Sequence, residues 1–251
     1  MKQETLHLCW LLHARAYRDS SLLLELFSNQ EGRIGAIARG VRSASKSGPS
    51  HKRSLLQPFV PLQLALSGRG ELRTVGQLEA LGSGVALQGE RLMSALYINE
   101  LLVRLLPVHE KEPALFDEYG NLLRALAGHE QLEPLLRNFE LLLLDSLGYG
   151  LQFDHDVQSG MPIHNAGWYH LHADGGFGEQ LNSPGQHDQE TFYRGSDLLM
   201  IARRDFSEES VRRTAKRLLR TVLQQHLGKR ELVSRTLFGK VTPPPTSPSL
   251  V

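Results

Sequence analysis

The sequence predicts an α+β protein of two domains, a five-stranded β-barrel over residues 1–80 followed by a mainly α-helical domain over 81–242. Three observations predict it. Apolar residues recur with period two up to about residue 80 and with a helical period beyond it. The change falls at Leu81-Gly82-Ser83-Gly84, a hinge-like stretch of small residues. Charge segregates across the same boundary: residues 1–80 hold 11 Lys/Arg against 6 Asp/Glu (+5), and residues 81–251 hold 17 against 21 (−4). With 251 residues, 41% of them hydrophobic, the chain has material for two modest cores and is too apolar for general disorder.

Five segments of the first half read as half-buried strands. Leu6, Leu8, Trp10 and Leu12 share one face of the first, Leu22, Leu24 and Leu26 of the second, and Ile34, Ala36 and Ala38 of the third. Val60, Leu62, Leu64 and Leu66 mark the fourth; Leu72, Thr74 and Leu78, around Gly76, mark the fifth. Turn chemistry separates them at Arg18-Asp19-Ser20, Asn29-Gln30-Glu31-Gly32 and Ser67-Gly68-Arg69-Gly70, and in a long basic Ser/Gly/Pro loop. Five short strands in this length suit an OB-fold, a small barrel that binds oligonucleotides; periodicity alone also admits an SH3-like barrel.

From Gly32 to Gly70 the chain has no acid, yet it carries Arg33, Arg39, Arg42, Lys46, Lys52, Arg53 and Arg69. An acid-free interval of that length points to a polyanionic partner, because concentrated positive potential gathers phosphate-bearing ligands. With Ile34, Ala36 and Ala38 inward, Arg33 and Arg39 point outward together, and the same alternation places Arg73 on the outer face of the fifth strand. Of the aromatics, Trp10 and Phe59 are expected to fill the barrel, whereas Tyr17, beside Arg15 and Arg18, is placed for base stacking.

In the second half, Leu92 to Leu105 predicts a helix ending before Pro107, and Leu115 to Leu126 one ending at Gly128. Leu132 to Leu147 predicts a third, apolar nearly all round and therefore central. Ser207-Glu208-Glu209 opens a later helix whose buried stripe is Val211, Ala215, Leu218, Leu219, Val222 and Leu223. Residues 151–187 form an irregular insertion rich in Gly and His, and the Pro-rich tail 243–251 is expected to be disordered.

No P-loop, GxSxG elbow or complete GxGxxG is present, so no enzyme is expected. Asp154, His155 and Asp156 are the weak candidates for a metal-dependent hydrolase. His155, His164, His170, His172 and His187 invite a metal, with His170 and His172 facing the same way on a strand. The absence of HExxH and of thiolates other than Cys9 argues against a zinc site. A single cysteine fits a reducing compartment. Without a signal-peptide pattern or a run of about 18 apolar residues, the cytoplasm is the expected location.

Several ordered segments resemble the bacterial recombination mediator family RecO: LLHARAYRDSSLLLELFSNQEGRIGAIARGVRS, LLQPFVPLQLALSGRGELRTVGQLEA, LYINELLVRLLP, LRNFELLLLDSLGYG and RTAKRLLRTVL…LVSRTLF. The resemblance implies an N-terminal OB-fold, a C-terminal helical domain, binding of single- and double-stranded DNA, ATP-independent strand annealing, and help in loading RecA on strands coated by single-stranded-DNA-binding protein. RecR is an implied partner, and the nucleoid the implied place of work. Many relatives carry a four-cysteine zinc ribbon in the middle segment. Here Asp156 and Ser159 stand approximately where the first pair would be and the second pair is absent, so the insertion is expected to be a degenerate ribbon without metal or other cofactor.

The residues expected to hold phosphates are Arg33, Arg39, Arg42, Lys46, Lys52 and Arg53, with Arg15, Arg69 and Arg73 behind them. The acidic tail of the single-stranded-DNA-binding protein, which the resemblance brings to the helical domain, would meet Arg137, Lys216 and Arg217. The alternative of another class is a structural RNA-binding OB protein without mediator activity.

Overall fold

A computed structural model of the chain describes residues 5–42, 51–68, 70–180, 191–228 and 231–234. Lys46, Arg69, His187 and the 243–251 tail lie outside the described residues. The chain divides into two compact units, Met1–Lys111 with Arg230–Val251, and Glu112–Lys229.

The first unit is built on strands β1 (Thr5–Tyr17), β2 (Ser21–Ser28), β3 (Gly32–Ala38), β4 (Pro61–Ser67) and β5 (Leu72–Ala80). They close into a barrel in the order β1-β2-β3-β5-β4. The long β1 pairs with β2 through its C-terminal part and with β4 through its N-terminal part, and a short parallel ladder between β3 and β5 completes the ring. This is the connectivity of an OB-fold. Helix α1 (His51–Leu55) lies between β3 and β4, and α2 (Gly89–Leu105) follows β5 and packs against β1.

Alternation places the core correctly in three strands. Leu24 and Leu26 of β2, Ile34, Ala36 and Ala38 of β3, and Leu62, Leu64 and Leu66 of β4 are all buried in the barrel cluster. Two strands depart from expectation. In β1 the barrel interior takes Cys9 and Leu11, while Trp10 and Leu12 are buried on the opposite face, where the Asn99 side chain of α2 donates to the Leu12 carbonyl at 3.0 Å. A strand covered on both faces carries no single polar side from which to read its phase. In β5 the buried residues are Val75 and Leu78, and Leu72 is exposed. The ladder to β4 slips by one residue between Leu64 and Leu66, and a one-residue slip exchanges the faces of a strand. Arg73 therefore shares its side with Val75 and not with the outer face expected for it.

Burial pushes the Cys9 thiol up to about 12, so it behaves as an apolar core group. The described C-terminal residues return to this unit. Leu232 is buried, and the Glu100 carboxylate of α2 accepts from the amides of Val233 (3.0 Å) and Ser234 (2.8 Å) and from the Ser234 hydroxyl (2.7 Å). Burial opposes the charge on Glu100, but these bonds and Arg104 outweigh it and hold its pKa below the ordinary range.

The second unit holds α3 (Pro113–Ala127), α4 (Leu132–Ser146), α5 (Gly195–Ala202) and α6 (Glu209–Leu227). Pro113 opens α3, where its missing amide costs nothing. Helix α4 packs against both α3 and α6 and is the centre expected of it, burying Leu136, Phe139, Leu141, Leu143 and Leu144. Helix α6 buries all six residues of its predicted stripe. The insertion is more regular than its sequence suggests: its strands β6 (Trp168–Leu171) and β7 (Phe177–Gln180), with β8 (Phe192–Arg194) just beyond the expected bounds, form an antiparallel sheet in the order β7-β6-β8. Strands of three or four residues are too short to display alternation.

Candidate nucleic-acid interface

Register fixes which cations of the barrel meet. Leu22 pairs with both Ala16 and Ala38, so the end of β1, the start of β2 and the end of β3 lie side by side. Arg15, the β1–β2 turn residue Arg18, Arg39 and Arg42 are thereby gathered at one end of the barrel. Arg15, Arg18 and Arg39 are exposed. Arg42 is fixed at this rim: its amide donates to the Ser20 carbonyl at 2.9 Å and its guanidinium to the Arg18 carbonyl at 3.0 Å. No carboxylate among the described residues pairs with any of these four. Arg18 also lies over the Tyr17 ring, 5.3 Å from its centroid, so a flat cation and an aromatic face stand together at the strand end. Trp10 and Phe59 are both buried.

Arg18 was not among the expected phosphate contacts. Its signal is the turn Arg18-Asp19-Ser20, which reads only as punctuation between strands. Its φ of 51° belongs to the turn that reverses the chain between β1 and β2. Lys52 and Arg53 lie exposed on α1, which packs against β5, and the Lys52 ammonium donates to the Gly76 carbonyl at 2.9 Å.

The opposite end of the barrel treats its arginines differently. Arg33 donates to Glu25 at 3.0 Å and, through Nε, to the Leu106 carbonyl at 2.8 Å. Arg73 donates to Glu31 at 2.7 Å and to the Gly68 carbonyl at 3.0 Å. Glu31 is further approached by His7 and His109, each at 3.6 Å. Both guanidinium groups are thus committed within the unit. From Arg33 to Arg39 is about 20 Å along an extended strand, so the two groups of arginines are separate surfaces.

Family models match both parts of the chain, recombination protein O N-terminal over residues 1–83 and recombination protein O C-terminal over 86–236. The chain belongs to the RecO family. It is 44% identical to the DNA repair protein RecO of Pseudomonas putida (strain W619) over 241 residues, which is 96% of this chain and 100% of that one. It is also 44% identical to the DNA repair protein RecO of Cellvibrio japonicus (strain Ueda107), with 93% of this chain and 96% of the relative covered. The like-named protein of Methylococcus capsulatus (strain ATCC 33009 / NCIMB 11132 / Bath) is 44% identical over 229 residues, 91% of this chain and 90% of that one.

In the helical unit, the three residues expected to meet an acidic tail have unlike surroundings. Arg137 of α4 is 8% exposed and ion-paired to the buried Glu140 at 2.8 Å. Lys216 of α6 is exposed and lies 3.4 Å from Glu133. Arg217 lies 4.2 Å over the Tyr193 ring and donates to the Phe192 carbonyl at 2.6 Å.

Asp156 and Ser159, expected from the resemblance at the place of a ribbon's first thiolates, are bonded in a way that does not fit zinc. One Asp156 oxygen accepts from the amides of Gln158 (3.0 Å) and Ser159 (2.5 Å) and from the Ser159 hydroxyl (2.7 Å); the other accepts from the Glu179 amide. Burial resists this charge, yet the bonds from Ser159, Glu179 and Gln158 bring the pKa down to about 2. The carboxylate itself ties the turn to β7. Asp154, by contrast, is exposed, and its carboxylate lies 2.9 Å from His155 Nδ1. Among the described residues no three His, Cys, Asp or Glu side chains are grouped to hold a metal ion, and no helix is long and apolar enough to cross a membrane.

Proposed function

We propose that this chain is a DNA-binding recombination mediator that anneals complementary strands without ATP or catalysis and assists RecA loading on strands coated by single-stranded-DNA-binding protein. The observation that carries the reading is the group of arginines, Arg15, Arg18, Arg39 and Arg42, at one end of an OB-type barrel, with no carboxylate of the described residues paired to them. Cations left unpaired by the protein are those whose charge is available to phosphate. Lys52 and Arg53 extend the surface, and Lys46 and Arg69 belong to the same proposed set. Arg33 and Arg73 support it by stiffening the barrel from the other end. Two strands held on this surface have their mutual repulsion neutralised, and base pairing then drives annealing.

Membership of the RecO family and the names of its DNA repair relatives support this reading over a structural RNA-binding role. Family membership also supports the single-stranded-DNA-binding protein and RecR as partners and the nucleoid as the site of action. Of the three tail contacts, Lys216 has the most exposed head group for a carboxylate.

The test is a fluorescence annealing assay on complementary oligonucleotides with EDTA and without nucleotide, together with a salt titration of single-strand binding. Annealing should proceed, and neutralisation of about 5 phosphates gives a log–log salt slope near −3.5. Salt-independent affinity, or preferential capture of folded RNA in direct competition, overturns the proposal.

A further inference from the structure

Beside the arginine rim, the outer wall of the barrel carries an apolar strip. Ala14, Leu22, Leu24, Ala36 and Ala38 pack on the barrel core, so alternation turns Arg15 and Tyr17 of β1, Leu23 of β2 and Ile37 of β3 outward. Register sets them in line: Arg15 pairs with Leu23, Leu23 with Ile37, and Ile37 with Thr74 of β5. One pleat further, Tyr17 pairs with Ser21. Paired side chains on one face of a sheet are near neighbours. Tyr17, Leu23 and Ile37 are each half-buried, with the remainder of their surface open. Leu72 extends the strip. It is exposed, pairs with Gly35, and its Cδ1 lies 3.4 Å from the place of a Cβ on that glycine, so it leans over Gly35.

The charge at the edge of this strip is positive. Arg15 stands in its row, Arg39 follows the end of β3, and Arg18 lies over the Tyr17 ring at 5.3 Å from the centroid. Glu25, which register places on the same face beside Gly35, is taken by Arg33 at 3.0 Å. Apolar surface bordered by unpaired cations matches a polymer of flat bases on a phosphate thread. A duplex turns its phosphates outward and keeps its bases stacked within, so it can use the rim but not the strip.

We propose that the unpaired bases of a single strand lie on Leu23, Ile37 and Leu72, with one base stacked against the Tyr17–Arg18 pair, and that this strip makes the barrel prefer single strands to duplex. The inference rests on the DNA-binding reading and adds to it the part of the nucleic acid that is recognised. Aromatic rings and guanidinium planes both stack on bases, and they do so with little regard to sequence. A base leaves the strip when it pairs, so the annealed product is held by the rim alone and is released more readily than its single strands.

The test compares three labelled ligands by fluorescence anisotropy on the full-length protein: oligothymidylate, an abasic strand of the same length, and a duplex. The abasic strand should bind on the order of tenfold more weakly than oligothymidylate, with the same salt slope. Tyr17→Ala should weaken oligothymidylate binding by about the same factor and leave the abasic strand and the duplex unchanged, and Tyr17→Phe should keep the original affinity. The abasic comparison uses unmodified protein and is independent of how a variant folds. Equal affinity for the abasic and normal strands, or a Tyr17→Ala loss shared equally by the duplex, overturns the strip. Salt-dependent binding that ignores the bases removes this inference alone, whereas salt-independent binding of all three ligands removes the DNA-binding reading and this inference with it.

Discussion

At one end of the barrel Arg15, Arg18, Arg39 and Arg42 pair with no carboxylate among the described residues, and at the other Arg33 and Arg73 are held by Glu25 and Glu31. The residue type is the same, and the strands are partly the same, since β3 leads from Arg33 to Arg39. What differs is the company. The paired end joins the barrel to the chain that follows it: Arg33 reaches Leu106, and the Val108 segment forms a bridge alongside Arg33. The unpaired end gives its charge to solvent. A positive residue thus becomes a structural brace or a ligand contact according to whether an acid lies within reach across the sheet, which linear charge counting does not report.

The largest effect expected from separating these roles is at Gly32. Its φ is +69°, and a Cβ there would lie 1.7 Å from the Glu110 carbonyl oxygen. Gly32→Ala should cost about 3 kcal/mol of stability, from backbone strain and a clash with main chain, measured by urea unfolding. Below its melting temperature the variant should still bind DNA, and a loss of binding by the folded protein would break the division between ends. Next, Arg15→Glu with Arg39→Glu should weaken single-strand binding on the order of 100-fold at low salt and flatten the salt slope by about 1.4, with the thermal midpoint unmoved. Unchanged affinity would remove the proposed interface.

A smaller effect belongs to Arg33→Met, which leaves Glu25 and the Leu106 carbonyl unanswered. Stability should fall by about 1–2 kcal/mol while the salt slope of DNA binding stays as it was. A flattened slope would return Arg33 to the phosphate-binding set. The smallest concerns His7, whose pKa is lowered chiefly by burial and also by Arg73, against the pull of Glu31. The fold prefers its neutral form, so stability is full above the unfolded value of about 6.5 and declines as pH falls from there through the lower folded value. His7→Gln should reduce that acid sensitivity, read as thermal midpoint against pH.

The barrel was legible where strands bury a single face, as the inward Leu, Ile and Ala residues of β2, β3 and β4 show. It was illegible where a second element covers the strand, as α2 does at Leu12, or where the ladder slips, as at Leu64–Leu66, because both depend on residues remote in sequence. The acid-free interval located the cations but not their acids. Glu25 and Glu31 lie just before it and fold back beside Arg33 and Arg73. Arg18 is not readable from the pattern, because it falls in a turn, where no alternation assigns a face.

The clasp of Glu100 on Val233 and Ser234 has a consequence for biosynthesis. The barrel unit begins at the N-terminus, yet one of its buried residues, Leu232, is translated only after the whole helical unit. Emergence from the ribosome therefore leaves the first unit incomplete until residues 231–234 have been translated, and a nascent chain arrested near residue 228 should leave the Glu100 carboxylate of α2 without its Val233 and Ser234 donors.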